Sequence, residues 1–197
     1  FNAFAGNDSV VLFGSMVTLT ATGGSGNDTI AINSSGSSIN VSTSLYGGAG
    51  SDFFSISSGL NGGSVFADDS ADDTIGGNDT IAMDAVTSAA IYGAAGNDSL
   101  AATGALLSSS VYGGTGNDSF GLTSFSSGIV SFADGADYMS ASAAFTSATL
   151  TGGTGSDSLI IGGGFNAGSI DLGTDADSIR IAGATTSATL LGGGGSD

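Results

Sequence analysis

Tyr112-Gly113-Gly114-Thr115-Gly116-Asn117-Asp118-Ser119-Phe120-Gly121-Leu122 decides the fold, because altered copies of it recur from one end of the chain to the other. Sister copies occupy residues 22–32, 46–52, 92–98, 151–157 and 191–197. The Asp that closes each copy is a convenient marker: Asp8, Asp28, Asp52, Asp79, Asp98, Asp118, Asp137, Asp157, Asp177 and Asp197. Successive markers are 20, 24, 27, 19, 20, 19, 20, 20 and 20 residues apart. So regular a period, near twenty residues, predicts a solenoid, in which one repeat is one coil that buries its apolar face only when neighbours stack on it. The 197 residues are therefore read as a single continuous array, with insertions near residues 33–38 and 69–76 where the spacing lengthens. Phe66-Ala67-Asp68 matches Phe132-Ala133-Asp134 of a later coil, and the acidic run that starts at Asp68 reads as a solvated loop.

After each marker, apolar residues stand two and four places on: Ile30 and Ile32, Phe54 and Ile56, Phe120 and Leu122, Leu159 and Ile161. A period of two means strand. A second strand precedes each glycine turn, with an inward residue seven before the marker, as at Leu45, Ile91, Val111, Val130, Leu150, Ile170 and Leu190. Between the two lie Ser/Gly/Thr stretches such as residues 123–128 and 162–168, read as looser turns. The expectation is an all-β parallel solenoid of about ten coils, two short strands to a coil, with the glycine turns stacked along one edge. At about 4.8 Å per coil the rod would be on the order of 45–50 Å long.

The charge is lopsided. Every one of the 18 acidic residues is Asp, the formal charge is −17, and Arg180 is the single base. A chain so acidic is neither an electrostatic binder of nucleic acid nor attracted to an anionic membrane, and no apolar run reaches the length of a membrane span. Absence of Cys excludes disulfides and thiolate metal sites, and absence of His, Lys and Glu removes most acid–base and nucleophilic chemistry. Arg180 with nearby Asp177 would suit the arginine base of a β-helical polysaccharide lyase. Minimal coils leave no long loops to wall a cleft, however, so no enzyme is expected. Tyr46, Tyr92 and Tyr112 share one coil position and are expected to pack across coils.

Gly-Gly-x-Gly-x-Asp with an apolar residue two places on resembles the hemolysin-type (RTX) calcium-binding repeat, a β-helix signature. In that family each ion lies between successive turns, held by carbonyls of one turn and Asp of the next. The resemblance implies one column of Ca²⁺, since the motif comes once per coil here. It assigns as ligands Asp8, Asp28, Asp52, Asp79, Asp98, Asp118, Asp137, Asp157, Asp177 and Asp197, with the carbonyls of Gly24, Gly26, Gly48, Gly50, Gly114, Gly116, Gly153 and Gly155. The copies ending at Asp79, Asp137 and Asp177 are degenerate, and Asp134 and Asp175 are candidate auxiliary carboxylates. Physics agrees with the likeness: carboxylates stacked at about 5 Å repel by nearly 1 kcal/mol per pair even in water, and a hard cation with six to eight oxygen ligands removes that cost.

The expected function is a non-enzymatic, secreted structural repeat of a bacterial surface or extracellular matrix, such as a filament, surface layer or adhesin stalk, that folds on binding Ca²⁺. Its expected partners are calcium and either further coils of the same chain or another copy stacked head to tail. Two alternatives belong to other classes. An ice-binding solenoid requires a regular outward Thr array, whereas the column three before the marker has Thr only at Thr115, Thr154 and Thr174. The stabilising RTX domain of a secreted hydrolase or toxin would fit the same motif.

Overall fold

In a computed structural model the chain winds as a succession of short strands that pair in parallel from coil to coil, and the structure describes residues 1–14, 17–33, 39–40, 43–69 and 76–197. Three parallel sheets run the length of the solenoid, two of nine strands and one of eight. The first sheet is built from strands that follow each marker, from Ser9–Phe13 to Ser178–Ile181. The third contains strands that precede each marker, from Leu19–Ser25 to Thr189–Leu191. Ten markers bound nine intervals, hence nine strands in each of these sheets rather than ten. The insertions near 33–38 and 69–76 lie mostly outside the described residues.

The register repeats the sequence period. Val10, Ile30, Phe54, Ile81, Leu100, Phe120, Met139, Leu159 and Ile179 form one column of Cα partners through the first sheet. Ala21, Leu45, Val65, Ile91, Val111, Val130, Leu150, Ile170 and Leu190 form another in the third. All but the C-terminal members, Ile179 and Leu190, are buried, so the core is a stack of apolar residues on apolar residues.

The second sheet corrects the sequence reading. Residues read as loose turns contain a third strand, such as Ser124–Ser126, Phe145–Thr146 and Phe165–Asn166, paired in parallel from coil to coil. Each places one inward residue into the core: Leu60, Val86, Leu106, Phe125, Phe145 and Phe165 are all 0–1% exposed. Phe125 and Phe145 lie 5.4 Å apart between ring centroids. Each coil is thus a triangle, and the third side closes what two strands alone would leave wet. At its corner the backbone is left-handed, at Ser108, Ser127, Ser147 and Ala167 among others, where a small side chain keeps the strain modest.

A second correction concerns Phe66. Its strand partners are Tyr46 and Tyr92, so it stands in the outward column that continues as Tyr112 and Ser131, and Phe132 is one residue further on. One residue of offset reverses the face. Phe132 is accordingly buried and packs on Phe120 at 4.7 Å, whereas Phe66 is half-exposed. Tyr46, Phe66, Tyr92 and Tyr112 form a continuous outer stack with centroids 4.8–4.9 Å apart and planes within 9° of parallel. This is the cross-coil packing expected of the tyrosines, with Phe66 completing it. Asp68, for its part, is fully buried rather than solvated, and its Oδ2 accepts the Ala95 amide at 3.1 Å.

If the third strand is core, Phe145→Ala should lower stability to chemical denaturation by about 3–5 kcal/mol, the usual cost of emptying a buried aromatic site. A loss below about 1 kcal/mol would return residues 143–148 to the status of a turn.

Candidate metal centre

The marker aspartates turn inward. Asp28, Asp52, Asp79, Asp98, Asp118, Asp137, Asp157 and Asp177 are each at least 94% buried, at the corner where the third sheet meets the first. What holds them there is the backbone of the coil below. Asp98 Oδ1 accepts the amide of Asp79 at 2.8 Å, Asp118 Oδ1 that of Asp98 at 2.8 Å, Asp137 Oδ1 that of Asp118 at 2.6 Å, and Asp157 Oδ1 that of Asp137 at 2.9 Å. The same bond recurs from Asp8–Asp28 to Asp177–Asp197. Asp is the one acidic residue short enough to make it while leaving the strand register intact, which explains why Glu is absent from the column.

One position earlier, a neutral ladder runs in the opposite sense. Asn7 Oδ1 accepts the amide of Asn27 in the next coil, Asn78 Oδ1 that of Asn97, Asn97 Oδ1 that of Asn117, and Asn117 Oδ1 that of Ala136, at 2.7–2.9 Å. The Asn-Asp dipeptide therefore braces each coil boundary in both directions. The Asn side chains are exposed, so the Asp row is the one that must solve an electrostatic problem.

That problem is the other oxygen. Oδ2 of all eight inward markers is buried without a hydrogen-bond partner. In the coils closed by Asp28, Asp52, Asp98, Asp118 and Asp157 it lies against the glycine five residues before the marker. A Cβ built on Gly93 would sit 2.5 Å from Asp98 Oδ2 and 2.5 Å from the Gly113 carbonyl oxygen of the next coil. Gly23 is crowded in the same way by Asp28 Oδ2 and the Gly47 carbonyl, Gly47 by Asp52 Oδ2 and the Ala67 carbonyl, and Gly152 by Asp157 Oδ2 and the Leu172 carbonyl. A carboxylate oxygen of one coil and a carbonyl oxygen of the next thus converge in front of a glycine that supplies no side chain. Two oxygens of partial or full negative charge facing each other without a donor is the arrangement a hard cation stabilises.

These oxygens fit Ca²⁺ in kind. No group of three acidic side chains gathers at one point among the described residues, so a site here would need backbone oxygens beside its one or two carboxylates. The carbonyls that the resemblance assigns occupy other positions of the turn. The carbonyls of Gly24, Gly26, Gly50, Gly116 and Gly153 each face the residue in the same column of the following coil, where a Cβ on Gly48, Gly50, Gly77, Gly135 or Gly173 would collide with them. The carbonyl beside Oδ2 belongs to a different position of the next coil, that of Gly47, Ala67, Gly113, Phe132 or Leu172. The doubling of the glycine was the signal for it. Gly114, at φ 110°, meets the usual need for a left-handed turn residue, but Gly113 has no such backbone excuse. Asp134 and Asp175 are exposed on the outer lip, where Asp134 accepts the Thr154 hydroxyl and Asp175 the Gly155 amide. Arg180 is exposed too, on the opposite face of its strand from inward Asp177.

Burial raises the carboxyls of Asp79 to about 8, of Asp52 and Asp118 to about 7, and of Asp98 and Asp157 to about 6; the amide bond to the preceding Asp pulls each the other way, and neighbouring carboxylates add to the rise at all of them but Asp98. No protein-family model, curated protein or solved structure matches the chain, so the likeness to calcium repeats rests on the motif itself.

A folded-state pKa above the unfolded value of about 3.8 means that the folded chain holds more protons, so stability falls as pH rises. In chelator the solenoid should be most stable near pH 4 and lose stability progressively up to pH 8, followed by thermal melting in steps of one pH unit. A melting temperature that is flat or rises over that window would contradict the placement of these carboxyls.

Proposed function

We propose that this chain is a calcium-dependent structural β-solenoid, a non-enzymatic repeat of a secreted or surface-exposed bacterial protein. One observation carries the reading: a column of eight buried, unpartnered carboxylate oxygens, five of which, on Asp28, Asp52, Asp98, Asp118 and Asp157, lie at a glycine beside a carbonyl of the following coil. Bound Ca²⁺ would supply the positive charge that no Lys or His can, Arg180 being exposed on the outer face. The chain's own part is to aim Asp Oδ2 at the coil boundary, fix it by the Oδ1 bond to the coil below, and withhold a side chain at the facing glycine.

Function then follows from linkage. A ligand that binds the folded coils and not the extended chain stabilises the fold by mass action. At low calcium the row of carboxylates opposes stacking; at high calcium the same row joins coil to coil. Such a chain stays unfolded where free calcium is scarce and zips into a rod where it is plentiful, which suits a protein that crosses an envelope before it folds. The scarcity of chemically versatile side chains and the minimal coils support a mechanical rather than catalytic role. Stacking on further coils, of this chain or of another copy, would extend the rod by repeating the same boundary.

Circular dichroism tests the reading. Calcium added after chelator should convert a largely disordered spectrum at neutral pH to a β-rich one, and Mg²⁺, which demands a tighter octahedron, should do so poorly. Identical β spectra with and without calcium would sink it. Asp118→Ala should lower the calcium-saturated melting temperature clearly more than Asp171→Ala, which removes an exposed carboxylate from the outer face of the third sheet. Equal losses would mean that the inward column has no special role.

A further inference from the structure

Resting on the calcium reading above, we infer that the inward residue in the register column of Gly23, Gly47, Gly93, Gly113 and Gly152 decides whether a coil takes an ion, and that the ion column is interrupted where that residue has a side chain. In the coils closed by Asp28, Asp52, Asp98, Asp118 and Asp157 the residue is glycine: Gly23, Gly47, Gly93, Gly113 and Gly152. Every one is inward-facing, and at every one the space a Cβ would fill is bounded by the coil's own Asp Oδ2, with a carbonyl of the next coil alongside. At Gly113 that carbonyl belongs to Phe132 and lies 3.1 Å from the Cβ position.

Three coils differ at this one place. Strand register puts Ala67 there in the coil closed by Asp79, because Phe66 pairs with Tyr46 and so Ala67 follows as Gly47 does. Phe132 stands there before Asp137, and Leu172 before Asp177. All three side chains are buried, at 0%, 0% and 2% exposure. The Phe132 ring lies on Phe120 of its own coil, 4.7 Å between centroids, so an aromatic side chain occupies the place that Gly113 leaves without one. Ca²⁺ needs six to eight oxygens at 2.3–2.6 Å, and a methyl, isobutyl or benzyl group at the centre of the cradle removes the room for them.

The marker itself does not report this difference. Asp79, Asp137 and Asp177 keep the inward pose, the Oδ1 bond to the coil below and a buried Oδ2, as their sisters do. The chain therefore has two kinds of coil boundary. One is ionic and depends on calcium; the other is an apolar joint that holds without it. Ionic boundaries come as a pair at Asp28 and Asp52, a pair at Asp98 and Asp118, and a single one at Asp157, separated by apolar joints. Loss of calcium would then loosen the rod in short blocks.

Native mass spectrometry of the calcium-loaded chain, after removal of free ion, reads the number of ions directly. The five glycine coils should each retain one, with the terminal Asp197 counted separately because only its own atoms lie beside Gly192. Gly113→Ala should remove a single ion and leave the others. Gly121→Ala, where an added Cβ meets nothing closer than Leu100 O at 3.9 Å, should leave the count unchanged. Leu172→Gly should gain one ion at Asp177. If the wild type retains an ion for each of the eight inward aspartates, or Gly113→Ala keeps the full number, the calcium reading stands and this inference falls. If no form retains calcium, both fall. Should a variant not fold, the wild-type count alone decides between five and eight.

Discussion

Everything in this solenoid depends on a row of like charges buried at the spacing of a β-sheet. Parallel strands stack at about 4.8 Å, so a residue placed once per coil meets its own kind at that distance above and below. For Phe, Ile or Val such self-stacking is favourable and builds the core. For Asp it is a conflict, because burial removes the water that would screen the repulsion and raises the cost of each charge. The conflict has two resolutions, a proton or a cation. Both act on the same oxygen.

The rest of the coil is arranged to keep that row in place. Asp Oδ1 is tied to the coil below and Asn Oδ1 to the coil above, so neither side chain can swing out to water without breaking a bond at a coil boundary. Columns of apolar residues from all three sheets, two of them from the first, enclose a narrow core. Since each coil touches only its neighbours, stability is a sum of boundary terms rather than the property of one globular centre. A boundary that is conditional on an ion makes the whole rod conditional, to a degree set by how many boundaries are of that kind. The outer Tyr46–Phe66–Tyr92–Tyr112 stack and the Phe125–Phe145 contact contribute terms that no ion controls.

The marker period and the alternation after each Asp were enough to read the solenoid, the parallel register and two of its three sheets from residues alone. The second sheet escaped because its strands are two or three residues long, with a single apolar residue among Ser, Gly and Thr in most of them, so no alternation can develop. Phe125 and Phe165 were its only clear sign. Phe66 was misaligned because Phe-Ala-Asp occurs twice with different faces inward, and only backbone pairing distinguishes them. At the candidate site the aspartates were found, but their direction was not: the motif says that Asp follows a glycine turn, while its burial comes from the Oδ1 bond to another coil. The role of the first glycine was likewise hidden, since flexibility is the usual reason for Gly and here the reason is space.

The central claim is that the buried aspartates that face a glycine are neutralised by cations rather than by protons. Crystals grown in Ca²⁺ at neutral pH, with data collected to show the anomalous signal of calcium, test it most directly. The account predicts peaks beside Asp98 Oδ2 and Asp118 Oδ2, about 4.8 Å apart and each within ordinary calcium–oxygen distance of the carboxylate and of the next coil's carbonyl. Density without such peaks, in which Oδ2 of these residues lies at hydrogen-bond distance from that carbonyl, would show protonated acids and contradict the account.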